Sequence, residues 1–150
     1  MLFRSQRYVV MIDLGLKSSH RRFFILDLKT GVMESHLTSH GSGSDPNSTG
    51  YGQYFSNKQD SHMSSLGIYR TMGTFTSNHG RALRLEGLSS TNSNVYARAI
   101  IVHAANYVSD ANSTAGRSWG CPALDPKYTQ GVIDKIRGGA LMNVVDSRKM

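Results

Sequence analysis

A single cysteine, Cys121, serves the whole 150-residue chain, so no internal disulfide can form and a disulfide-stapled scaffold is excluded. No apolar run is long enough to span a bilayer, which removes a membrane-spanning helix. Proline is scarce, with three residues, and acidic side chains are fewer than basic ones, ten Asp and Glu against seventeen Lys and Arg. The Gly-rich stretch around residues 41–52 lacks a following Gly-Lys-Ser/Thr, so a phosphate-binding P-loop is excluded as well. The shortage of acid leaves a net charge of +7, which favours a polyanionic or carboxylate-bearing partner. Nucleic acid and an anionic cell-wall polymer both qualify. The basic residues are scattered, with no run of five and no basic helical stripe, and this disfavours nucleic acid.

What is present reads as one domain over residues 1–150, mainly β, with many short elements. The N-terminal stretch MLFRSQRYVVMIDLGLKSS is interrupted by Asp13 and has no small-residue cleavage site after it. It is expected to hold a strand rather than a signal peptide. RFFILDLKTGVMESHL predicts a hairpin turning at Lys29-Thr30-Gly31. GSGSDPNSTGYGQYFSN is a long Gly/Ser/Asn-rich loop, a type that often carries function. LGIYRT, RALRLEG, ARAIIVH and ALMNVV predict further short strands. One segment, DPKYTQGVIDKIRGG, predicts a helix near the C-terminus. It has Asp125 as N-cap, Pro126 at the first helical position, an apolar face of Val132, Ile133 and Ile136, and Gly138 at the stop. These elements predict a β-sandwich or a partly open barrel with one C-terminal helix and a long loop.

The stretch VHAANYVSDANSTAGRSWGCPA holds the chemistry. A cysteine nucleophile reacts as thiolate and needs a base or a positive charge beside it, and His103, ending an apolar run, can supply both. A pairing of this kind predicts a partly exposed Cys121 with a lowered pKa. Gly120 permits close backbone approach, and the N–H groups of Gly120 and Cys121 are candidate oxyanion donors. Pro122 has no N–H, which confines donors to the N-terminal side. Arg117 is a candidate for holding a substrate carboxylate or, alternatively, for pinning the loop through backbone carbonyls. Against all this stands the inert alternative, a buried structural thiol.

His103, fourteen intervening residues and Ser118-Trp119-Gly120-Cys121 resemble the signature of the L,D-transpeptidase (YkuD-type) family. RFFILDLKTG, SHGSGS, FSN, SSLGIYRT, HGRALRLEGL, RAIIVHAANYVS and GRSWGCPAL together resemble the branch whose block reads Ser-Trp-Gly-Cys-Pro, over about Arg22 to Val145. The chain departs from the wider family at Trp119, where a histidine is usual. The resemblance implies a cysteine enzyme acting on peptidoglycan stem peptides. Cys121 is the nucleophile, His103 the base and Ser118 a hydrogen-bonding support. The implied outcome is 3→3 cross-links or exchange of the terminal D-amino acid. It also implies a periplasmic or envelope location, no cofactor and no metal, and it leaves an envelope lipoprotein as a possible acceptor. Rival readings are an L,D-carboxypeptidase, a hydrolase releasing lipoprotein, and a catalytically silent wall-binding module.

Other histidines are weaker signals. His36 and His40 in HLTSH have the spacing of a zinc pair, but the glutamate of that motif is replaced by Leu37. His40, opening the long loop, and His79, before Gly80, are candidates for lining the cleft beside Trp119, with exposed turn histidines as the alternative. Trp119 is expected either to form a pocket wall or to pack beneath the loop.

Overall fold

The computed structural model describes residues 7–150, so the first six residues of the expected N-terminal strand stretch lie outside the described residues. Strand β1 (Tyr8–Asp13) alternates as a half-buried strand should, with Val10 and Ile12 in the core and Met11 outside. It pairs antiparallel with β2 (Phe23–Asp27), which turns at Gly31 (φ +76°) into β3 (Met33–His36), the predicted hairpin. The chain then passes through β4 (His40–Gly41) and the long loop into β5 (Gly67–Ser77) and β6 (Gly80–Gly87). Two short strands follow, β7 (Ile101–Val102) and β8 (Arg117–Ser118). Helix α1 (Pro126–Ile136) and β9 (Leu141–Val145) complete the fold. Among the described residues seven strands form one sheet in the order β3-β2-β1-β9-β5-β6-β7, while β4 and β8 make a two-stranded parallel ladder of their own. The mainly β architecture with one helix is as expected.

Helix α1 starts and stops for local reasons. The Asp125 carboxylate accepts from the Lys127 N–H at 2.8 Å, Pro126 occupies the first turn, and Gly138 beyond the end takes φ +81°. Its buried Val132, Ile133 and Ile136 join Val10, Phe23, Leu83 and Met142 in the main core. Each such aliphatic or aromatic side chain contributes about 1.5–3 kcal/mol by leaving water. The buried Thr71 hydroxyl donates to the Ile136 carbonyl and accepts from the N–H groups of Gly139 and Ala140, which ties the helix end to β5.

Two features of the sheet prepare the site. Pairing between β5 and β6 slips between Thr71 and Thr74; beyond this irregularity Ala82 and Leu83 of β6 remain buried, while Phe75 is half-buried and His79 at the turn is exposed. The β4–β8 ladder is held by a buried polar chain. The Arg22 guanidinium, wholly inaccessible, donates to the Leu16 and Thr38 carbonyls and meets His40 Nδ1 at 2.9 Å. His40 Nε2 lies 3.1 Å from Asp45. Asp45 also accepts from the N–H groups of Thr49 and Gly50.

The expectation that His40 lines the cleft is therefore corrected. Its side chain is buried, and both ring nitrogens are engaged inside the protein. The reason is electrostatic: a guanidinium buried without water must find acceptors, and Nδ1 is one of them. Arg22 can only donate, so Nδ1 accepts and Nε2–H donates to Asp45, which is the neutral tautomer.

Burial, reinforced by the Arg22 charge, depresses the His40 pKa to about 4. A depressed histidine contributes stability that is complete above its unfolded value of about 6.5 and is lost as pH falls through about 4. We expect up to about 3 kcal/mol of the stability of the protein to disappear across that window. Urea melts of wild type and His40→Leu at several pH values check this. The variant should be weaker at neutral pH, and its stability should fall less steeply with acid.

Candidate active site

Cys121 and His103 are brought to one place by different elements. His103 directly follows β7 and is buried, with its carbonyl accepting from the Leu124 N–H at 2.9 Å. Cys121 follows β8 through the turn Trp119-Gly120, and its own carbonyl is gripped by two side-chain hydroxyls as well as by the Ala123 N–H at 3.0 Å. The Ser118 hydroxyl donates to it at 2.7 Å and the Ser39 hydroxyl at 3.1 Å. Thr38 donates to the Ala123 carbonyl at 2.8 Å, and the Ala123 N–H returns to Ser39. The segment that Arg22 anchors is thus the one that cradles the thiol.

Both residues line a cavity of about 680 Å³, together with Ser118, Trp119, Arg117, His79 and others. Of the residues expected at the site, His40 and Gly120 do not line this cavity. Gly120 adopts φ +119°, and a Cβ there would stand 2.8 Å from the Met63 carbonyl oxygen, so only glycine fits. Its N–H, however, donates to the Ser118 hydroxyl at 3.1 Å. This corrects the expectation that it is an oxyanion donor. The turn at 118–121 folds back on itself and consumes that group internally.

Trp119 is 73% exposed and stacks on His62 with ring centres 4.6 Å apart and planes 1° apart. It forms a wall rather than packing under the loop. Arg117 lines the cavity while one guanidinium nitrogen donates to the Asp45 carbonyl at 2.8 Å, so it also ties the loop. His79, at the turn of the β5–β6 hairpin, stacks on His103 with centres 4.0 Å apart. His36 and His40 have separate partners, Glu34 and Tyr128 for the first, Arg22 and Asp45 for the second. Among the described residues no group of three His, Cys, Asp or Glu is placed to hold a metal ion.

His103 Nδ1–H donates to the Ala104 carbonyl at 2.8 Å, which fixes the tautomer and leaves Nε2 as a lone pair. Burial lowers its pKa, the Ala104 bond opposes this, and His79 lowers it further. The sulfur of Cys121 accepts from the Ile101 N–H at 3.5 Å and the thiol faces the Ala99 carbonyl at 3.7 Å. Burial raises the Cys121 pKa, and the Ile101 N–H and the Arg98 charge only partly offset it. The expected lowered thiol is therefore corrected. Among the described residues no hydrogen bond joins Cys121 to His103, and desolvation drives both groups toward their neutral forms.

Arg98 lies at the site although no local signal in the sequence marks it. Its guanidinium donates to the carbonyls of Ser56 and Met63 and to the hydroxyls of Ser65 and Ser61, clasping the loop beside Gly120. It lines the same cavity, as do Arg84 and Tyr107. Nothing local marked these residues, since only the tertiary fold carries them to the thiol.

A family model described as an L,D-transpeptidase catalytic domain matches residues 3–144. No curated protein matches the chain by sequence. Solved structures match by fold. An LD transpeptidase in complex with imipenem is 17% identical with a TM-score of 0.55, covering 93% of this chain and 59% of that one. L,D-transpeptidase 3 from Mycobacterium tuberculosis, in complex with a faropenem-derived adduct, is 14% identical with a TM-score of 0.58, covering 93% and 60%. An L,D-transpeptidase from Mycobacterium smegmatis is 14% identical with a TM-score of 0.55, covering 92% and 58%. The chain thus spans about three-fifths of the length of these structures.

The raised thiol predicts how Cys121 alkylates. Its rate with iodoacetamide should climb only above the range of a free cysteine, about pH 8.5. A plateau reached below pH 8 would instead show a preformed thiolate–imidazolium pair.

Proposed function

The chain belongs to the L,D-transpeptidase catalytic-domain family, and we propose on that premise that the described residues form one catalytic domain, a cysteine acyltransferase of the cell envelope acting on peptidoglycan stem peptides. The observation that carries this reading is the meeting, in one cavity, of the only thiol and an imidazole whose Nδ1 is already committed to a carbonyl.

The proposed reaction has two halves. Cys121 Sγ attacks the carbonyl of the third stem residue while His103 Nε2 takes the thiol proton. The tetrahedral intermediate collapses, the C–N bond to the terminal D-alanine breaks, and His103 returns its proton to the leaving amine. A thioester remains on Cys121. In the second half the amine of another stem peptide attacks the thioester. His103 removes the amine proton and passes it to the departing sulfur, which restores the thiol and leaves a 3→3 link. Neutral partners suit this sequence, because proton transfer then accompanies attack. Ser118, bonded to the Cys121 carbonyl and to the Gly120 N–H, is a positioning residue for the nucleophile. Among the described residues the Cys121 N–H donates to no backbone or side-chain acceptor, which leaves it as the nearest candidate for the oxyanion. Trp119 and Arg117 are proposed as walls of the substrate cleft.

Incubation with muropeptides followed by mass spectrometry tests the reading, since cross-linked or D-amino-acid-exchanged products support it. Loss of the terminal alanine alone, with added acceptors ignored, would replace it with a carboxypeptidase. No change in any stem would overturn the enzyme altogether.

Cys121→Ala and His103→Ala should each reduce turnover by at least about 10³-fold, with the double variant scarcely worse, as for residues acting as one unit. Two partial and multiplicative losses would remove His103 from the reaction. A carbapenem should add its mass to wild type and not to Cys121→Ala in intact-protein mass spectrometry. A wild-type protein that reacts with iodoacetamide and takes no carbapenem would count against this pocket chemistry.

A further inference from the structure

Among the described residues the cavity around Cys121 is lined by three arginines, Arg84, Arg98 and Arg117, and by no carboxylate. Elsewhere the arginines are mostly spent on acids. Arg7 pairs with Asp27, Arg21 with Asp110, Arg70 with Glu86, Arg81 with Asp134 and Arg148 with Asp146. Among the described residues none of the three cleft arginines forms an ion pair, and only Arg98 feels a carboxylate, Asp60, through space.

The three do not have the same freedom. Arg98 spends four hydrogen bonds on oxygens of the 56–65 loop and is a structural clasp. Arg117 spends one, on the Asp45 carbonyl. Arg84 spends none among the described residues. Its guanidinium lies 3.8 Å over the centre of the Phe75 ring, with Tyr96 more distant at 5.8 Å. Phe75 also lines the cavity, so the stack holds the Arg84 guanidinium at the cavity wall. Stacking on a ring face leaves the edge of a guanidinium, where its donors lie, available to a ligand.

We infer that Arg84 and Arg117 form a carboxylate-binding subsite of the cleft, so that the enzyme takes a peptide donor bearing a free carboxylate close to the scissile carbonyl. A guanidinium fork matches a carboxylate with two parallel hydrogen bonds, and a site without acid of its own has no internal competitor for it. The naming of the ligand as a stem peptide rests on the function proposed above. The anion preference rests only on the residues. The carboxylate comes either from the side chain of the third stem residue or from the terminal D-amino acid, and the two are distinguished below.

The test uses the only thiol as its reporter. Cys121 is alkylated in parallel with iodoacetate, an anion, and iodoacetamide, its neutral analogue, at low ionic strength. The acetate-to-acetamide rate ratio is compared with that of the same chain unfolded in urea. The folded protein should favour the anion severalfold, and the preference should shrink as salt shortens the Debye length from about 10 Å at 0.1 M to about 3 Å at 1 M. Arg84→Gln and Arg117→Gln should each lower the ratio, while Arg84→Lys should retain part of it. If Arg84→Gln does not fold, the salt dependence of wild type and the lysine variant still decide. A ratio equal to that of the unfolded chain, or one that neither substitution moves, overturns the subsite.

A second arm uses stem tetrapeptides with the third-residue side chain or the C-terminus amidated. The amide that costs turnover in wild type, and costs less in Arg84→Gln, identifies the carboxylate that is held. Turnover indifferent to both amides, with a flat alkylation ratio, removes the subsite and leaves the enzyme. An anion preference with no stem turned over keeps the subsite and removes the peptidoglycan reading.

Discussion

Arg22 is wholly buried, and its guanidinium is satisfied by the Leu16 and Thr38 carbonyls and His40 Nδ1. Taking an arginine out of water costs several kcal/mol unless its donors find acceptors. Burial lowers its pKa to about 9, which leaves it charged at neutral pH and in need of those acceptors. The segment from Thr38 to His40 therefore has one place to be. That placement puts the hydroxyls of Thr38 and Ser39 against the carbonyls of Ala123 and Cys121, and it sets β4 beside β8. His40 relays the constraint to Asp45, whose oxygens organise the start of the long loop and whose carbonyl receives Arg117. One buried cation thus positions both the nucleophile's backbone and one wall of its cleft.

Desolvation governs the electrostatics of the cleft. It pushes the Cys121 thiol up and the His103 imidazole down, and the nearby Arg98 charge is not enough to reverse the first effect. His79 acts in the same direction on His103, because two stacked imidazoles do not readily carry charge together. A resting site of neutral partners holds the sulfur as the less nucleophilic thiol. In the proposed mechanism it leaves the imidazole ready to accept a proton when a carbonyl arrives. The tautomer needed for this is set by the shortest of contacts in sequence, from His103 Nδ1 to the carbonyl of the next residue.

The walls depend on two devices of different kinds. On one side the β5–β6 hairpin, irregular between Thr71 and Thr74, brings Phe75, Arg84 and His79 to the cavity. On the other, Arg98 gathers the 56–65 loop by its oxygens and brings His62 under Trp119. His62 takes φ +57°, a conformation uncommon for a side-chain-bearing residue, and its ring lies flat against the indole. Substitution of Arg98 would loosen this wall without touching the core.

Local signals carried much of the fold. The alternation in β1, the Lys29-Thr30-Gly31 turn, and the Asp-Pro start and Gly138 stop of α1 each act within a few residues, so they were legible without the rest of the chain. The spacing from His103 to Ser118-Trp119-Gly120-Cys121 pointed to the family that the matching model also indicates. Three features of the site were not legible. His40 looked like a cleft histidine because the cation beside it, Arg22, is eighteen residues away and its burial is a tertiary fact. The thiol looked activated because a nearby histidine in sequence says nothing about desolvation. Arg84 and Arg98 were only two of many scattered basic residues. Residue type and spacing determined which groups were available for chemistry. The tertiary structure alone decided their protonation and their neighbours, because burial and charge–charge distance are properties of the packed chain.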